Sequence, residues 1–281
     1  MTEEASGATG EGKETDLHRC ITSLIQVNNF PNYEIIVLIQ GASWESREEL
    51  TVPPVGPARG VGPVRLGSPD PLTGSCVAYH FASECSIGEV MNLGAQRAQG
   101  DYLVFLNPEL EIIRPEWLAA MLEQAQRNEV GAVGAKLLGA DGQLVHSGIV
   151  VGPQGLLSRW DKNLVPDSIH RVVYTEVVRD CSAVSADCLM VAKQKFEEVH
   201  GFDSRFRRDY HDVDLCLRLG LKGYLSVYTP HAAVQFTSLK AGKQARLLED
   251  ERFFQQVWGH HIHDGDPYFH HHLFEKIRKA G

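Results

Sequence analysis

The stretch Gly100-Asp101-Tyr102-Leu103-Val104-Phe105-Leu106-Asn107-Pro108-Glu109-Leu110-Glu111 decides how the chain reads. Tyr102 to Leu106 is an unbroken apolar and aromatic run that stops at Asn107-Pro108. A short run of this kind, with a glycine before it and a proline after it, predicts a strand covered on both faces, as in a parallel sheet. Pro108 has no N–H to give a neighbouring strand, so pairing ends there. Glu109 is thereby delivered to the carboxyl edge of the strand, where open α/β sheets bind ligands. A carboxylate in that place can hold a hard divalent cation, which in turn neutralises a diphosphate. A solvated loop glutamate satisfies the same pattern.

Upstream of this strand, Leu17, Cys20, Ile21, Leu24 and Ile25 share one helical face, and Glu34 to Gly41 (EIIVLIQG) follows as an apolar strand. Met1 to Asp16 is polar and acidic and reads as a disordered tail. The strand that should precede the first helix of a βαβ unit is not in the chain. Ala42 to Ser86 gives no clear pattern, and Thr51 to Asp70 is rich in Pro and Gly, as an irregular loop is. Glu89 to Ala98 reads as a helix that leads into the deciding strand.

Downstream, Pro115 opens a helix with Trp117, Leu118, Met121, Leu122 and Ala125 facing inward. Gly131 to Leu138 is a strand, Asp141-Gly142 a turn, and Gln143 to Gly152 a returning strand. Arg159 to Arg179 reads as irregular. Cys181 to Ala192 is one further apolar strand, and Lys193 to Gly201 a short helix. Asp212 and Asp214 stand at the start of another helix, with Asp214 and Arg218 paired at i,i+4. Carboxylates there favour a helix N-terminus through capping and the dipole, with or without a catalytic task. Leu225 to Pro230 and His231 to Ser238 close the core, and Gln244 to Trp258 forms an amphipathic helix before a histidine-rich tail, 259–281.

The 281 residues suffice for one large α/β domain, here 17–258. A net charge of −9 argues against nucleic acid as a partner and supplies no polybasic membrane anchor. No apolar run reaches the roughly 18 residues of a transmembrane helix, and the acidic N-terminus is not a secretory signal. The scattered cysteines, Cys20, Cys76, Cys85, Cys181, Cys188 and Cys216, read as reduced, mostly buried thiols of a cytoplasmic protein. The tail holds His260, His261, His263, His270, His271 and His272, residue types that can ligate zinc or copper but that also suit an exposed segment. The Arg205, Arg207 and Arg208 cluster reads as a phosphate contact or a solvated face.

In order along the chain, Pro31 to Val37, Asn92 to Ile112, Val130 to Val150, SADCLMVAKQKFEEVHGFDSRF, YHDVDLCLRLGLKGYLSVYTP and DPYFHHHL resemble a family 2 glycosyltransferase of the GT-A fold. The likeness is to bacterial enzymes that build surface glycans. It implies an α/β, GT-A-like, mostly parallel sheet flanked by helices and incomplete at its N-terminus. It also implies inverting transfer of a sugar from a nucleotide-diphosphate donor to a glycan acceptor, free or lipid-linked, by an enzyme that is cytoplasmic or at the inner face of the membrane. By position in the motifs, Glu109 would bind Mg²⁺ or Mn²⁺ and the donor phosphates, with Asn107 and Asp214 in support, and Asp212 would be the base. The chain departs from the family pattern in four places: the absent first strand, Ile39-Gln40 where an acidic residue is usual, Gln235 in place of a metal-binding histidine, and His211 in place of a glutamate. Those departures leave a non-catalytic GT-A-like module that binds a glycan or a protein as the alternative.

Overall fold

A computed structural model describes residues 10–40, 47–48, 75–81, 85–152, 157–159, 175–238 and 247–268, with side chains described within 16–39, 85–152, 175–238 and 247–268. Expectations placed on residues 1–9, on most of 42–84, on 160–174 and on His270 to His272 lie outside these residues. In chain order the elements are α1 (Gly10–Val27), β1 (Glu34–Gln40), β2 (Arg47–Glu48), β3 (Ser75–Phe81), α2 (Ile87–Arg97), β4 (Tyr102–Leu106), β5 (Leu110–Ile112) and α3 (Trp117–Ala125). They continue as β6 (Val130–Leu138), β7 (Leu144–His146), β8 (Ile149–Val151), β9 (Leu157–Arg159), β10 (Arg179–Cys181), β11 (Cys188–Ala192), α4 (Lys193–Glu198), α5 (His211–Leu221), β12 (Leu225–Phe236) and α6 (Leu248–Trp258).

The main sheet has the order β10-β12-β6-β11-β4, with β5 also on β12 and β7 on β6. β12 and β6 are parallel, whereas β11 is antiparallel to both β6 and β4. Hence β4, β6 and β12 run one way and β11 runs against them. The architecture is α/β, but the sheet is mixed where a mostly parallel one was expected. A strand that is apolar on both faces reads the same in either direction, so the pattern could not reveal the reversal.

Alternate residues of this sheet feed two cores. Leu103, Phe105, Leu189, Val191 and Tyr228 pack with residues of α2, α4, α5 and α6 on one face. Val104, Leu106, Val133, Met190 and Val227 pack with α1, α3 and β5 on the other. The α3 stripe is core as expected, with Trp117 1% and Met121 0% exposed.

Four boundaries differ from the sequence reading. α1 starts at Gly10, so residues 10–16, expected in the disordered tail, are helical. These residues add no apolar stripe, but the Thr237 hydroxyl donates to Asp16 Oδ1 at 2.9 Å and ties this end of the helix down. The returning strand after the Asp141-Gly142 turn breaks at Ser147-Gly148, where Gly148 has φ +103°, and β8 leaves β6 to pair with β9. The apolar run Cys181 to Ala192 is two strands, β10 and β11, with a turn between them that proves central to the site. Conversely, the two closing segments form one strand, β12, which absorbs Pro230 in a register shift between Thr229 and Ala233. β3, parallel to β1, was hidden in the stretch without a pattern.

Gly134 of β6 sets how closely that central turn approaches the sheet. A Cβ there would lie 2.5 Å from Val184 Cβ, a contact neither backbone can relieve by rotating a side chain. Gly134→Ala is therefore expected to cost about 1–3 kcal/mol and to lower the midpoint of denaturant unfolding with an unchanged slope.

Candidate active site

The end of β4 is built by Asn107. Its N–H donates to the Asp187 carbonyl at 2.8 Å, and its Nδ2 donates to Asp187 Oδ1 at 2.8 Å. Its Oδ1 accepts the Glu109 N–H at 2.9 Å. An Asn side chain that captures the backbone two residues on makes an Asx-turn, which throws the chain away from the strand axis. Asn107 thus shapes the loop through both atoms of its amide. Glu109 is carried on the turn, half-buried. Its carbonyl accepts both the N–H and the hydroxyl of Thr237, at 2.9 and 3.1 Å.

The turn 185–187 collects groups from three distant parts of the chain. The Ser185 N–H donates to His146 Nε2 at 3.4 Å, and the Gly148 N–H donates to the same nitrogen at 3.1 Å. The Ala186 N–H donates to Asp212 Oδ2 at 3.2 Å. Ser185 Oγ donates to Asp187 Oδ2 at 2.9 Å, while Asp187 Oδ1 holds Asn107. The loop carrying Glu109 and the helix carrying Asp212 therefore share one three-residue turn. Ser185, Asp187 and His146 were not singled out by sequence as site residues, because their roles lie in long-range hydrogen bonds inside an apolar run and beside a glycine.

Asp212 lies at the start of α5, 6% exposed. The residue before the helix, Tyr210, has φ +67°, left-handed backbone that costs a non-glycine residue roughly 1 kcal/mol. Strain of this kind persists where the surroundings over-determine it. His211 departs from its glutamate-like place. It is 7% exposed, its ring meets Phe202 edge-on at 5.4 Å, and among the described residues neither ring nitrogen has a hydrogen-bond partner. His211→Phe is expected to leave thermal stability unchanged or to raise it by about 1 kcal/mol, since a buried unsatisfied polar group is removed. A fall in the melting temperature of more than a few degrees would show that the imidazole does bonding work.

Asp214, expected beside the sugar donor, is instead a packing residue. Its Oδ2 accepts Arg218 Nε at 2.8 Å and its Oδ1 accepts Trp258 Nε1 at 2.9 Å, and it is 2% exposed. The helical i,i+4 spacing and the ring from α6 take both oxygens. Gln235 Nε2 donates to the Gly139 carbonyl at 3.0 Å. Of the arginine cluster, Arg205 pairs with Asp203 at 2.6 Å and Arg208 with Asp209 at 3.3 Å. The Arg205 guanidinium holds the Asp203 carboxyl below its usual range. Burial pushes Asp266, which receives the N–H groups of Val151 and Tyr268, above it. Cys20, Cys181, Cys188 and Cys216 are buried and unpaired, with the Cys181 and Cys216 thiols pushed up to about 12 by desolvation. Among the described residues no group of three or more His, Cys, Asp or Glu side chains stands ready for a metal, and no helix is long and apolar enough to cross a membrane.

No protein-family model matches the chain. It is 34% identical over 188 residues to the O-antigen biosynthesis protein RfbC of Myxococcus xanthus, across 66% of this chain and 15% of that protein. It is 29% identical over 178 residues to the N-acetylglucosaminyl-diphospho-decaprenol L-rhamnosyltransferase of Mycobacterium tuberculosis, across 58% of this chain and 56% of the relative. The chain thus spans between 15% and 56% of the length of these two curated relatives. A crystal structure of GalNAc-T7 with UDP, GalNAc and Mn²⁺ superposes with a TM-score of 0.50 at 14% identity, over 64% of this chain and 36% of that one. That likeness shows the GT-A fold.

Proposed function

From the GT-A fold and the similarity to bacterial surface-glycan glycosyltransferases, we propose that this chain transfers a sugar, with inversion, from a nucleotide-diphosphate donor to a glycan acceptor. The observation that carries the reading is the turn 185–187, which joins the Glu109 loop and the Asp212 helix through side chains of Asn107, Asp187 and Asp212. Two carboxylates with different tasks are held in one framework.

The residues present fit a hard divalent cation shared with its substrate. Mg²⁺ is commonly held by one or two carboxylates, with phosphate oxygens and water completing its shell, and no dedicated protein cage is needed. Glu109, presented on the Asx-turn, would supply that carboxylate. When bound, the cation would stabilise the negative charge gathering on the departing nucleoside diphosphate. Asp212 accepts the proton of the attacking hydroxyl, which is a weak nucleophile until a positioned base takes it. The Ala186 N–H fixes the carboxylate, leaving its orientation independent of the substrate.

Calorimetric titration of the chain with UDP, GDP and dTDP, each with and without Mn²⁺, tests the reading. Metal-dependent binding of one nucleotide is expected. Glu109→Ala should weaken it by about 10- to 100-fold, the loss of a charge-assisted contact of roughly 1.5–3 kcal/mol. A non-catalytic glycan- or protein-binding module is the second reading, favoured by the engagement of the Gln235 amide with Gly139 at a place where a metal-binding histidine is usual. A folded, monodisperse chain that binds none of the three nucleotides decides for that reading.

A further inference from the structure

Asp250 is 1% exposed, lies in the first turn of α6 and has no part in the site as described so far. Its carboxylate receives consecutive backbone N–H groups of the segment that leads into α5. Arg207 donates to Oδ1 at 2.9 Å, and Arg208 and Asp209 both donate to Oδ2 at 2.8 Å. The contact is reciprocal, since the Leu247 N–H at the start of α6 donates to Asp209 Oδ2 at 2.8 Å. Farther along α6, Phe254 stacks on Tyr210 with ring centroids 4.8 Å apart, and Trp258 Nε1 donates to Asp214. One helix therefore grips the chain on both sides of Asp212, and it does so at the residue whose backbone is left-handed.

We propose that Asp250 is a positioning residue: by binding the N–H groups of 207–209 it holds Tyr210 in its strained conformation and so fixes the direction in which Asp212 leaves α5. The proposal rests on Asp212 being the base. Three backbone N–H groups and the N-terminus of α6 converge on this one buried carboxylate, so the segment 207–209 and the helix are fastened at a single point. Without the charge, the loop has no reason to present three consecutive N–H groups to one point, and Tyr210 is released to ordinary backbone.

The test compares wild type, Asp250→Asn and Asp212→Asn in the full chain by two readouts. The first is amide hydrogen exchange at 207–215 relative to 130–138. The second is nucleoside-diphosphate release from UDP-, GDP- and dTDP-linked sugars, resolved into kcat and KM. Asp250→Asn is expected to speed exchange at 207–215 at least about 10-fold while β6 stays protected. It is expected to lower kcat about 10- to 100-fold with KM for the sugar donor within about twofold, since small misplacements of a reacting group cost on this order. Should Asp250→Asn fail to fold, Asp209→Asn loosens the same clasp at its contact with the Leu247 N–H and carries the same expectation. Unchanged exchange at 207–215 overturns the clasp, and faster exchange with wild-type kcat overturns its positioning role. A silent Asp212→Asn beside an impaired Asp250→Asn sinks the base assignment and, with it, the proposal's link to proton transfer. An impaired Asp212→Asn beside a silent Asp250→Asn sinks the positioning role alone.

Discussion

Asp212→Asn is expected to lower kcat about 10²- to 10⁴-fold, the usual worth of a positioned general base. The substitution is nearly isosteric, and with its amide oxygen at the Oδ2 place it still accepts the Ala186 N–H, so the turn 185–187 keeps its hold on Asn107 while only the local Val213 N–H loses its acceptor. What disappears is the affinity for a proton. Nucleotide binding, which the proposal places on the Glu109 loop, should stay within about twofold, because the lost interaction is made only as the hydroxyl is deprotonated. Turnover and nucleotide titration on the same preparation check this. A folded Asp212→Asn enzyme with more than a third of wild-type turnover would remove Asp212 from the chemistry.

Asp214→Ala, two residues farther along the helix and on its opposite side, is expected to act on stability instead. Arg218, with its side chain 23% exposed, would keep its charge and lose its carboxylate partner, and the Trp258 indole N–H would lose its acceptor. Removing one member of a buried pair strands the other, at a cost of roughly 3–5 kcal/mol. For a domain of this size that corresponds to a melting temperature lower by about 10 °C. Nucleotide affinity measured on the folded fraction should not change. Lost affinity with an unchanged melting temperature would return Asp214 to the sugar-donor site.

The contrast between these two aspartates shows how far the sequence could be read. Glu109 after an apolar strand and Asp212 at a helix start carry local signatures, namely a proline that ends pairing and carboxylates at an N-terminus, and both stand where those signatures put them. Asp214 carries the same N-terminal signature, and only the indole arriving from α6 reveals that its oxygens are taken. Asn107 was legible as a loop residue but not as the loop's architect, since its partner Asp187 lies far along the chain. The turn 185–187 was invisible because Val184, Ala186, Cys188 and Leu189 surround it with apolar neighbours, as a continuous strand would. Sheet direction was equally hidden, because hydrophobic alternation does not distinguish a strand from its reverse. Asp250 reads as an ordinary first-turn carboxylate until its three N–H partners are seen together.

Thr237 gives the Glu109 loop a further property. Its hydroxyl contacts both Asp16 in α1 and the Glu109 carbonyl, pairs separated by 221 and 128 positions in the chain. During synthesis, the residue that completes this loop is made 128 positions after Glu109. β4 and its Asx-turn can form early, but the carbonyl of Glu109 stays unsatisfied until β12 arrives beside it. Contacts of such long range are closed late because their loop entropy is met before they repay it. The proposed capacity of this loop to hold a diphosphate should therefore arise only once β12 has docked, later than the local turn that carries Glu109.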